Sequence, residues 1–152
     1  MQVRRWGSPP SLSSIRLDPG EPLFASLERA TKELYLSSGF ITSGLGSLKD
    51  VVLGFYQDHG YVRRRFEGPY ELLSLTGSLA EVDGRPHFHL HAVLGNPEYQ
   101  AFGGHLHEAT VAILAEVLLA SAPGLRFGRN PGGPELKVLD LWPGGSPTDP
   151  PH

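Results

Sequence analysis

The chain has no cysteine, which removes thiolate nucleophiles, cysteine-type zinc sites and disulfide scaffolds together. A chain without thiols fits a reducing compartment. It also lacks an excess of positive charge. Thirteen Lys and Arg against 16 Asp and Glu leave a net charge of -3 with histidines neutral, so no overall field gathers a polyanion. Long apolar runs are missing too, and nothing approaches the ~20 residues of a membrane helix. Met1 to Ser14 carries Arg4-Arg5, but then Gly7, Pro9, Pro10 and serines where a secretory signal needs an apolar stretch. The expectation is a cytoplasmic protein with no membrane partner.

At 152 residues the chain can form one domain with a real core and no covalent staple. Pro and Ser crowd residues 8–14, and residues 143–152 hold prolines and glycines without periodicity. The expected layout is therefore a flexible N-terminus over 1–13, a folded domain over 14–142 and a disordered tail over 143–152. Arg129 to Pro134 reads as a further flexible piece. One helix is expected, Glu21 to Leu36: Leu23, Phe24, Leu27, Ala30 and Leu34 recur at helical spacing, Pro22 sits in the first turn and Gly39 follows the end. Strand patterns cover Gly39 to Leu45, Val51 to Tyr56, Tyr61 to Phe66, Tyr70 to Ala80, His87 to Leu94, Tyr99 to Phe102 and Leu136 to Trp142. Asp83-Gly84 marks a hairpin. Val111 to Ala120 suits a helix by composition and a doubly buried strand by its apolar residues on every side.

Chemistry is concentrated in five of the seven histidines, which fall between His87 and His107. In an extended strand His87, His89 and His91 point to one face while Phe88, Leu90 and Ala92 point to the other. A second cluster, His105-Leu106-His107, follows what reads as a Gly103-Gly104 turn. Neutral imidazoles offer lone pairs to a borderline-soft cation, and three histidines with one open position is a recurring zinc arrangement. The plainer alternative is a solvated strand face.

The segment Gly84 to Gly95, then Phe102-Gly103-Gly104-His105-Leu106, then Ala115-Glu116-Val117, resembles the plant and prokaryote conserved (PPC) domain. Leu17 to Glu21, Gly44 to Asp50 and Tyr70 to Gly77 match further blocks in order, and the likeness spans about residues 14–142. The resemblance implies an α+β domain: a mainly antiparallel twisted sheet with one principal helix packed on it, assembled as a homotrimer. It also makes Val111 to Ala120 a strand, since tertiary context overrides local propensity. In plants the domain accompanies AT-hook segments. Here Gly84-Arg85-Pro86 imitates part of an AT-hook core, but no basic residue precedes it.

Carried over from the zinc-binding members, the ligands are His89, His91 and His105, with His87 behind them or facing solvent and His107 outside the motif. The fold is also similar to that of acetolactate decarboxylase, a zinc enzyme. Two functions are therefore weighed. The first is a trimeric binding or regulatory protein with a zinc site, acting as a DNA-binding or protein-interaction module. The second is a zinc-dependent enzyme acting on a small oxo-acid, with that acid as ligand at the metal. Proton transfer would need a carboxylate nearby. Glu116, which interrupts an apolar stretch, and Glu71 are the candidates, with Glu108 behind them. The structural alternative pairs Glu116 with Arg85 or Arg126, or with backbone at a subunit contact. Arg63-Arg64-Arg65 reads as a charged edge strand or, gathered in a trimer, as an anionic-ligand patch. DNA binding by such a chain should be weak and salt-dependent.

Overall fold

The computed structural model describes residues 1–144. The element order is β1 (Leu12–Leu17), α1 (Leu23–Glu33), β2 (Gly39–Gln57), β3 (Gly60–Phe66), β4 (Tyr70–Val82), β5 (Arg85–Gly95), β6 (Ala101–Ser121), β7 (Leu125–Gly133) and β8 (Leu136–Pro143). The sheet runs β3-β2-β6-β5-β4-β7-β8, with β1 added to β6 and β2 also pairing with β4. Strands β2, β6, β5 and β4 thus form a closed circuit of antiparallel ladders. The α+β class and the mainly antiparallel sheet agree with expectation.

The helix is shorter than the periodicity predicts. It buries Leu23, Ser26, Leu27 and Thr31 along one stripe. Leu34 is its C-cap and Tyr35 takes the left-handed conformation at φ 54°, so the chain turns before Gly39 is reached. Leu23 and Leu27 join a core built from β1, β2, β4, β5 and β6, where Leu48, Leu75, Leu90, Leu94 and Leu119 lose all exposure. Each such leucine contributes roughly 1.5–3 kcal/mol by leaving water.

Three expectations need correction. The two strands read at 39–45 and 51–56 are one bent strand, because Gly46 at φ 142° and Asp50 at φ 52° bend β2 without ending it. Val111 to Ala120 is strand, as the resemblance implies, but it lies within a longer β6, which also absorbs Tyr99 to Phe102 in part and runs through Gly103-Gly104 with no turn. The turn lies at Asn96 to Gln100, where the Asn96 carboxamide oxygen accepts the backbone N–H groups of Glu98 and Gln100. Gly103 and Gly104 serve close approach instead: a Cβ on Gly103 would stand 2.4 Å from the Ala92 carbonyl oxygen, and one on Gly104 2.8 Å from that of Gly54.

Arg129 to Gly133, expected as loop, belongs to β7. The β7–β8 hairpin is fixed by a small second core in which Phe127 and Leu125 pack with Ala80, Ala122, Phe40 and Trp6. Of the tail expected over 143–152, Pro143 ends β8 and residues 145–152 lie outside the described residues.

Candidate metal centre

Strands β5 and β6 pair antiparallel with His91 opposite His105, and His89 follows two residues away on the same face. Ligand nitrogens of His89, His91 and His105 all lie within 4.8 Å of one another, and His89 Nε2 stands 3.2 Å from His91 Nε2. Two imidazoles on a tetrahedral zinc, each bonded at ~2.0–2.1 Å, place their nitrogens about 3.3 Å apart. The donor set and its spacing therefore fit such an ion. These are the three residues carried over from the resemblance.

Their surroundings keep two of them neutral. Burial, aided by the Arg129 charge, pushes His89 down to about 4. Burial and the neighbouring His89, His107 and His91 push His105 down to about 3. At neutral pH both rings thus present free lone pairs. The Tyr61 hydroxyl lies 3.5 Å from His105 Nδ1, where a ring-orienting partner is found in metal sites.

His107 and His87 sit at the margin of the cluster. His107 packs against His105 at 4.5 Å between centroids with the rings tilted by 58°, meets the Tyr61 ring edge-on, and its buried Nε2 has no hydrogen-bond partner. Gly54 makes room for it, since a Cβ there would come within 2.4 Å of that nitrogen. His87 is half-buried, its pKa lowered by burial and then by Lys137 and Arg129.

A cavity of about 300 Å³ opens beside the cluster, lined by His87, His89, His105, His107, Tyr61, Arg63, Arg129, Glu135 and Lys137 among others. The β7–β8 hairpin roofs it. On one side Arg129 donates to Ser78 Oγ on β4, and Gly128 bridges to Glu81. On the other side the Glu135 carboxylate accepts the Tyr61 N–H at 2.9 Å and pairs with Arg63 at 3.2 Å, while Tyr56 donates to the Pro134 carbonyl. Neither Arg129 nor Glu135 stood out in the sequence, because Arg129 to Pro134 read as a flexible piece and the residues are far along the chain from the histidines.

The proposed carboxylates are elsewhere. Glu116 is exposed, opposite Arg16 and Leu45 in register, and follows His105 by about 36 Å of strand at ~3.3 Å per residue. It pairs with neither Arg85 nor Arg126; the partner of Arg126 is Glu81, at 3.8 Å. Glu71 is exposed opposite Gly95, about 13 Å of strand beyond the level of His91. Glu108 pairs with Arg65 at 2.8 Å. β3 is an edge strand in which Arg63 and Arg65 hold carboxylates and Arg64 lies over the Phe66 ring at 5.0 Å.

A model of the Plants and Prokaryotes Conserved (PCC) domain matches residues 7–123. Among solved structures, the chain is similar to a plant- and prokaryote-conserved protein of Pyrococcus horikoshii, with 31% identity and a TM-score of 0.83 over 92% of this chain and 97% of that one. It is similar also to a metal-containing protein of Archaeoglobus fulgidus, with 28% identity and a TM-score of 0.81 over 91% and 98%. Among curated proteins it is 36% identical over 128 residues to the bifunctional protein GlmU of a Synechococcus strain, covering 84% of this chain and 19% of that protein. The chain spans about a fifth of the length of the curated relatives it matches.

Proposed function

Because the chain belongs to the Plants and Prokaryotes Conserved domain family, we propose that it is a trimeric binding module of that family which holds one zinc-like divalent ion on His89, His91 and His105. The observation that carries this reading is the convergence of three imidazole nitrogens within 4.8 Å. Exposed Leu73, Val93, Ile113 and Leu114 supply apolar surface for a trimer contact. DNA association is confined to salt-sensitive phosphate contacts, because the net charge is negative and Arg63 and Arg65 already hold carboxylates.

A second reading, a zinc-dependent enzyme acting on a small oxo-acid, is favoured by the roofed cavity beside the histidines. When bound, zinc would polarise a carbonyl or acidify a water. Within one chain, Glu116 and Glu71 stand too far away to move a proton there, whereas Glu135 and Tyr61 line the cavity.

The test is elemental analysis after zinc loading and desalting. Wild type should retain about one ion per chain, and His91→Ala should retain none at the same circular dichroism spectrum. Equal metal in both would remove the site.

A further inference from the structure

The family match ends at residue 123, yet Arg129, Glu135, Leu136 and Lys137, beyond it, line the same cavity as the histidines. Two cations of that segment, Arg129 and Lys137, belong to no ion pair, although Glu28 of α1 and Glu135 also line the cavity. The ion pairs among the described residues are Arg16–Asp18, Arg29–Glu21, Arg63–Glu135, Arg65–Glu108 and Arg126–Glu81, so neither Arg129 nor Lys137 belongs to one. Arg129 is half-buried, bonds only the neutral Ser78 hydroxyl and the Lys137 carbonyl, and keeps a buried Nε without a partner. A guanidinium withdrawn from water with a free donor is costly unless something anionic completes it. Glu135 does not do so: it forms no ion pair with Arg129 and instead accepts from the Tyr61 N–H and from Arg63.

We propose that the β7–β8 hairpin forms an anion subsite beside the metal centre, in which Arg129, assisted by Lys137, holds the carboxylate of a small organic acid while a second oxygen of that acid faces His89 and His105, the two members of the trio that line the cavity. The planar fork of Arg129 suits a carboxylate, and the cavity volume of about 300 Å³ accommodates a short-chain acid. Selection of the anion thus resides in the segment beyond the family match, and metal binding within it. This rests on the metal reading only for the second oxygen.

The test uses the full chain, zinc-loaded and metal-free, titrated calorimetrically with lactate, its neutral isostere lactamide, and inorganic phosphate. Lactate should bind and lactamide should not. Arg129→Gln, which keeps an amide donor for Ser78, should weaken lactate at least about ten-fold while zinc content stays at the wild-type level. Lys137→Gln, on an exposed position, should weaken it by a smaller factor and guards against misfolding of the arginine variant. Lactate binding to metal-free protein that depends on Arg129 supports the subsite even if the zinc reading fails. Equal response to lactate and lactamide, an unchanged response in both variants, or a response to phosphate alone would overturn the proposal.

Discussion

His89 and His105 show how a cluster can be prepared for a cation by withholding protons. Their folded values, about 4 and 3, lie below the ~6.5 of an unfolded histidine. Between these limits the unfolded chain binds more protons than the native one, so stability is full above pH 6.5 and is lost as pH falls toward 4 and then 3. Urea midpoints of the metal-free protein should fall between pH 7 and pH 4, and His89→Gln should flatten part of that slope. Gly103 is the other decisive residue, because Ala there would drive a methyl group onto the Ala92 carbonyl in the seam between the two ligand strands. Gly103→Ala should cost about 1–3 kcal/mol and weaken zinc retention, measured by denaturation and metal analysis.

The elements were unequally legible. Helix α1 and the convergence of His89, His91 and His105 could be read because their signals are local: a helical stripe, a His-x-His alternation and a resemblance that joined them to His105. The true ends of α1 could not, since Tyr35 rather than a glycine makes the left-handed exit. Gly103-Gly104 looked like a turn because glycine permits both turns and close strand contact, and only the neighbouring strand distinguishes them. Of the β7–β8 hairpin only Leu136 to Trp142 was legible as strand: Arg129 to Pro134 carries turn-forming residues, and what holds β7 in strand is Phe127 packed against Phe40 at 5.1 Å between ring centroids. Glu116 was misjudged for a similar reason. Its flanks, Ala115 and Val117, are buried, but strand alternation turns Glu116 itself outward.

For the molecule as a whole, assembly is the prediction most easily decided. Light scattering at micromolar concentration should give three times the 16.5 kDa chain mass, and Val93→Glu should shift it toward the monomer. A monomeric wild type would remove the trimer from the reading. The two halves of the cavity differ in how they are tied to the rest. The histidine-bearing strands lie inside the closed circuit of ladders, whereas the hairpin joins the sheet through the single bridge at Gly128, the small core around Phe127 and a few side chains at its tip. Amide hydrogens of β7 and β8 should therefore exchange well before those of His89, His91 and His105, as segments with fewer ties open at lower free energy. On that ordering, a guest could come and go through brief partial openings that leave the ion seated, and the residence time of the guest would be set by a part of the chain different from the one that sets the residence time of the metal.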